Sequence, residues 1–271
     1  LTTRAQAIGS IAAVIEVQNM SSVEGAQLLL RRARQFEQAS DEEVNEARNI
    51  ALALDCLPLA IDQAGAYIEE THCSLLHYLQ LYQQERALLL KRRVYTDDYP
   101  DTVFTTFSLA FEQVEQKNPA SADLLRLCAF LAPDHIPEEI IIQGAPHLGP
   151  LLAPIATNPL ALDQTVRTLL AYSLLRHYAD SAMLSVHRLV QTILLDRMSQ
   201  NMIKEWSDRA IRIVNEAFPE VDYAQWLQCE RILPHAQVCA NWIEKEQKCF
   251  PEAAHLLLKA GLYLKERAQY A

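Results

Sequence analysis

Imidazoles, thiols, carboxylates and guanidinium groups are the side chains with which this 271-residue sequence could do chemistry, and their spacing is uneven. The six Cys (56, 73, 128, 229, 239, 249) contain no CxxC pair, and the eight His stand beside no Cys, Asp or Glu at metal-site spacing. No metal ligand is therefore assigned. Sequence order suggests no Ser/His/Asp or Cys/His set, and no catalytic residue is assigned. A GxxxxGK[ST] phosphate loop does not occur, nor does a following acidic strand for Mg²⁺. Backbone amides and the lysine of such a loop supply most of the grip on a phosphate chain. The chain alone is therefore expected not to be an enzyme. Spacing alone does not distinguish Arg4 in Leu-Thr-Thr-Arg, Pro58 in Cys-Leu-Pro-Leu-Ala or His187 in Val-His-Arg-Leu-Val from other residues of their types. Each also has an ordinary reading. Arg4 is a surface arginine, Pro58 a helix-opening proline, and His187, beside Val186 and Leu189, a partly buried structural histidine.

The elements that must position these residues are helices. Half of the residues are apolar and only six are Gly, a composition that favours helices joined by short loops. The formal charge of −10, from 24 basic and 34 acidic residues, disfavours a nucleic-acid grip, which draws most of its affinity from phosphate neutralisation. No apolar stretch reaches the roughly 18–20 residues that a membrane span needs. Leu1 opens the sequence without a signal-peptide pattern. Together with the dispersed cysteines, this predicts a soluble, cytoplasmic chain taken from within a longer protein.

Residues 1–4 and 14–17 read as two short strands of a sheet whose remaining strands lie upstream. Ser21 with Glu24, and Ser40 with Glu43, have capping-box spacing ahead of apolar stripes. Pro58 opens or kinks a helix through Ile68, and another runs from Ser74 to about Arg92, completing a helical bundle over 21–95. After a polar linker, helices are expected from Val103, from Pro119 to about Leu131, from Pro137 through Gln143, and over 161–171. Residues 144–160 read as a loop or a broken helix. Segments 173–178 and 183–187 form a hairpin, and a helix follows from Leu189 to about Met198. This order of helices, two-stranded wing and final helix is a winged-helix pattern over 96–199. Further helices are predicted over 202–217, 223–233, 236–248 and 252–268. The last carries the spacing of the first helix of a tetratricopeptide repeat, with Gly261 letting a neighbour approach closely. The fold class is thus mainly α: a bundle, a winged-helix domain with one short hairpin, and a helical arm over 200–271.

The order Leu-Thr-Thr-Arg, Cys-Leu-Pro-Leu-Ala, Val-His-Arg-Leu-Val and a repeat start resembles bacterial NB-ARC proteins of the STAND class, signalling ATPases with C-terminal repeats. The resemblance implies that 1–20 is the end of a nucleotide-binding domain. It implies that Arg4 senses the terminal phosphate, Pro58 packs on adenine, and His187 contacts the β-phosphate of ADP and locks a closed state. Cys56 stands where the family has Gly, and Arg188 where its plant and animal members have Asp. The implied cofactor is ADP or ATP (with Mg²⁺) in an intact, slowly hydrolysing parent, with none held tightly by this portion alone. The implied partners are the upstream nucleotide-binding domain, a protein or peptide ligand on the repeats, and further copies on activation. Two rivals stand beside it. One is a helical scaffold without nucleotide. The other is a winged-helix transcriptional regulator, for which the helix over 161–171 offers only Gln164 and Arg167 as base-reading residues.

Overall fold

The computed structural model describes residues 20–92 and 101–267, with no account of side chains 87–92. Arg4 and the two strands expected over 1–4 and 14–17 lie outside the described residues. The chain is mainly α: among the described residues are thirteen α-helices and a three-stranded antiparallel sheet. None of these helices is long and apolar enough to cross a membrane.

Four helices open the structure: α1 (Ser22–Arg32), α2 (Asp41–Ala53), α3 (Pro58–Thr71) and α4 (Leu75–Arg92). Both capping boxes form as the spacing predicts. Ser21 and Ser40 each accept from the backbone N–H three residues on, while Glu24 and Glu43 return to the cap N–H at 2.8 Å. Leu29, Leu30, Ile50, Leu54 and Ile61 are buried between α1, α2 and α3. Tyr67, Tyr78 and Tyr82 continue that core, with ring centroids 5.5 and 6.5 Å apart in sequence, and the Tyr82 hydroxyl donates to Ala53 O at the end of α2.

Helices α5 (Asp101–Lys117), α6 (Pro119–Cys128), α7 (Glu138–Gln143), α8 (Gly149–Ala156), α9 (Pro159–Ala171) and α10 (Arg188–Arg197) surround a small sheet. Its strands are β1 (Ile136–Pro137), β2 (Arg176–Tyr178) and β3 (Met183–Ser185), in the order β1-β3-β2. The expected hairpin is β2–β3. The third strand was not expected: Pro137 caps the start of α7, where a helix was expected to open, and also closes β1 opposite Met183. A proline is tolerated there because β1 is an edge strand. The region read as a broken helix contains a short 3₁₀ turn and α8, which continues through Pro154.

Helices α11 (Gln200–Ala217), α12 (Trp226–Lys245) and α13 (Pro251–Glu266) pack on this part and on one another. One expectation fails here. The helices expected over 223–233 and 236–248 are one, because α12 runs through Pro234. An internal proline costs a helix about 3 kcal/mol, and buried Ile232, His235 and Ala236 on either side hold the helix against it. Gly261 is exposed, and a Cβ there would meet nothing within 4 Å among the described residues.

His235 ties α12 to the sheet-bearing part. Its Nδ1 accepts from Ala132 N–H at 3.2 Å, and its Nε2 donates to His135 O at 3.1 Å, so the ring is neutral with the proton on Nε2. Burial lowers its pKa to about 4 against a donation that would raise it. The folded state therefore refuses a proton that the unfolded chain accepts at about pH 6.5. Stability is complete above that pH and declines as the pH falls towards 4, by about 3 kcal/mol in all and at most about 1.4 kcal/mol per pH unit. Urea midpoints between pH 7 and 4.5 should fall less steeply for His235→Gln than for wild type, by close to one proton. Equal slopes would show that His235 does not titrate on unfolding.

A cleft between the helical bundle and the sheet

Several of the helices end without glycine. At the C-termini of α1, α2, α9 and α12, the residue after the cap takes a left-handed backbone: Arg34, Asp55, Ser173 and Gln247. In each case its N–H and the next bond back to carbonyls three and five residues earlier, as Ser173 N–H to Leu170 O and Leu174 N–H to Leu169 O. After α2, Cys56 follows Asp55 into the same region at φ +52°. The glycine expected by resemblance would relieve a backbone conformation that costs a side-chain-bearing residue about 1 kcal/mol or more. The turn forms with Cys nonetheless, and Pro58 then occupies the first position of α3, exposed.

The turn at Ser173 is gripped from across the molecule by Arg32, the last residue of α1. Its Nη2 donates to Ala171 O at 2.9 Å, and its Nε donates to Ser173 Oγ at 3.2 Å. Glu69 of α3 pairs with the same guanidinium, and Asp62 lies 3.6 Å from Nε. The Arg32 stem reaches this position by lying across Gly65, where a Cβ would stand 2.7 Å from Arg32 Cβ. Glu70 adds a second bridge from α3, pairing at 2.8 Å with Lys117 at the end of α5, and Lys117 also covers the Tyr172 ring. Two helical layers are thereby fixed by charge-assisted bonds around the C-terminus of α9.

Beside this joint lies a cleft of about 170 Å³, lined from the bundle by Leu59 and Asp62 and from the other side by Ser173, Arg176, Tyr178, Val186 and His187, among others. Its lining includes Leu59, next to Pro58, and not Pro58 itself. Of the three residues singled out in the sequence, His187 is thus in the cleft, Pro58 begins the helix on its rim, and Arg4 lies outside the described residues. Arg32, Ser173 and Arg176 carried no signal in the sequence, because their roles depend on partners far away along the chain.

His187 caps α10: its Nδ1 accepts from Leu189 N–H at 3.2 Å. A ring that accepts at Nδ1 while neutral must carry its proton on Nε2, so the cap selects the tautomer. Much of the residue faces solvent, yet the cleft wall removes enough water from the ring to lower its pKa. The positive charge of Arg176 lowers it further, against a smaller opposing effect of Asp134, and Arg188 adds to the lowering. His187 therefore stands at neutral pH as a neutral N–H donor. Arg188 occupies the first position of α10, exposed. An anion arriving at His187 would meet positive charge there rather than the negative charge of an Asp.

A volume of about 170 Å³ is below the roughly 300–1,000 Å³ of pockets that enclose whole organic ligands. It has room for a small group, not for a whole organic ligand of that size. No group of His, Cys, Asp and Glu suited to a metal occurs among the described residues. The exposed face of α9 presents Asp163 along with Gln164 and Arg167.

A family described as a domain of unknown function (DUF7779) matches residues 111–203, from within α5 to the first turn of α11, a span that includes His187. A Hyaloscypha variabilis protein named nucleotide-binding leucine-rich repeat (NLR)-like is 24% identical over 268 residues, which cover 95% of this chain and 26% of that protein. The chain thus spans about a quarter of the length of this relative.

The contact at Gly65 is testable without disturbing the cleft lining. Gly65→Ala should push the Arg32 stem off α3 and loosen its bonds to Ala171 and Ser173, lowering stability by about 1–3 kcal/mol in thermal or urea unfolding. The better helix propensity of Ala would otherwise stabilise α3 by up to about 1 kcal/mol. A gain in stability would mean that Arg32 does not depend on Gly65.

Proposed function

We propose that this chain is the regulatory portion of a nucleotide-dependent signalling switch of the NB-ARC kind. The observation that carries this reading is the cleft itself. It brings a neutral imidazole N–H donor at the start of α10 into one cavity with the first turn of α3, the segment that begins Leu-Pro-Leu-Ala. The name of the Hyaloscypha variabilis relative agrees with nucleotide-dependent signalling, and that similarity extends over nearly the whole chain.

In this reading ADP spans the junction, with its adenine over Pro58 and its β-phosphate receiving the Nε2–H of His187. The sheet with its flanking helices is a winged-helix domain, and α1–α4 form the helical domain against which it closes. Hydrolysis and the Mg²⁺ that accompanies ATP belong to an upstream nucleotide-binding domain, of which Arg4 is the phosphate-sensing residue. A protein or peptide ligand acting on C-terminal repeats biases the switch from the ADP state to an open, self-associating ATP state, and the protein works in the cytoplasm. The ligand must bind the open state more tightly than the closed one, since only differential affinity moves such an equilibrium. Neutral His187 suits an ADP latch that can release, because a single neutral hydrogen bond is weaker than a fixed ion pair.

Calorimetric titration of ADP into the full-length gene product, wild type beside His187→Ala, tests the reading. ADP should bind the wild type, and the variant should bind it several-fold more weakly, since His187 contributes one hydrogen bond worth about 1 kcal/mol. Absence of binding, or binding that ignores the substitution, would favour a scaffold. Exposed Leu227 and Leu258 on α12 and α13 would then be the first surfaces to examine.

A further inference from the structure

Arg176 lies on β2, the edge strand away from β1, and faces Ser185 of β3 in register, two residues before His187. Both Arg176 and His187 line the cleft, as does Tyr178, two positions further along the same face of β2. Tyr178 stacks on His135 with ring centroids 5.9 Å apart, which steadies this wall. Two carboxylates face the same space. Asp62 is already associated with Arg32 at 3.6 Å, which leaves Asp134 as the other negative group near His187. The Arg176 side chain forms no ion pair among the described residues. A guanidinium held unpaired at a cleft wall, beside an imidazole presenting an N–H, is an arrangement for gripping the oxygens of one anion from two sides.

We infer that Arg176 is a further ligand-binding residue of this cleft, pairing with the terminal phosphate of a nucleoside diphosphate while His187 donates to the same group. The inference rests on the nucleotide reading for the identity of the anion, and on the cleft alone for the anion site. It accounts for how a neutral histidine can hold a highly charged phosphate: the charge is met by Arg176, and His187 supplies direction. The bound anion would also offset the repulsion that Arg176 exerts on a protonated His187. Nucleotide affinity should therefore rise as pH falls through the range in which His187 protonates.

The test is calorimetric titration of ADP, and separately of pyrophosphate, into the full-length gene product carrying Arg176→Ala or Arg176→Lys. Arg176 is exposed and has no ion-pair partner among the described residues, so the variants should fold, which circular dichroism verifies. Arg176→Ala should weaken ADP at least tenfold. Arg176→Lys should recover part of the loss, because a point charge replaces a bidentate one. If ADP binds and His187→Ala weakens it while Arg176→Ala changes affinity less than twofold, Arg176 is not a ligand-binding residue and the nucleotide reading survives. If ADP binds no better than pyrophosphate while pyrophosphate binding depends on Arg176, the anion site stands and the nucleotide reading falls. If neither molecule binds the wild type, both are overturned.

Discussion

One guanidinium organises the junction on which this account rests. Arg32 ends α1, crosses α3 at Gly65, pairs with Glu69, and bonds to the last carbonyl of α9 and to the hydroxyl of Ser173. Its Nε, Nη1 and Nη2 donate to a hydroxyl, a carboxylate and a carbonyl, and the Asp62 carboxylate lies 3.6 Å from Nε, so a partly buried positive charge is compensated on several sides. The rest of the cleft follows from this joint. Ser173 is held in its left-handed turn, the turn directs the chain into β2, and β2 sets Arg176 and β3 beside the N-terminus of α10. Arg32 does not hold the junction alone: Glu70 pairs with Lys117 near the turn, and α3 and α4 pack against α5.

How much of this could be read in advance depended on distance along the chain. The capping boxes at Ser21 and Ser40 involve partners three residues apart, and they formed as expected. The hairpin before α10 was also legible, from its short apolar runs. Helix ends were harder to place because the signal normally sought is glycine. With so few glycines, the left-handed positions fall to Arg34, Asp55, Ser173 and Gln247, residues that carry no terminator signal of their own. A proline misled once, for a tertiary reason: Pro234 remains inside α12 because its neighbours are buried.

The candidate site divides along the same line. His187 stood out only through the resemblance of Val-His-Arg-Leu-Val; its role as the cap of α10 was not legible. Arg176, Ser173 and Arg32 did not stand out, since their importance arises from contacts between segments more than a hundred residues apart, or from a strand register. The small volume of the cleft has a physical consequence as well. At about 170 Å³ it is smaller than pockets that enclose whole organic ligands, so under the proposed reading any nucleotide would be held largely outside it. A site shared in this way suits a switch, because any ligand bridging two walls binds only the arrangement in which they face each other.

The most direct measurement compares ADP affinity in the full-length protein with wild-type Arg32 and with Arg32→Met, which keeps the apolar stem over Gly65 and removes the guanidinium. Arg32 does not line the cleft, so an effect on ADP can arise only through Ser173, Asp62 and the position of the two walls. The account predicts that a folded Arg32→Met protein binds ADP at least fivefold more weakly. Unchanged affinity in that folded protein would contradict the claim that this joint sets the geometry of the nucleotide site.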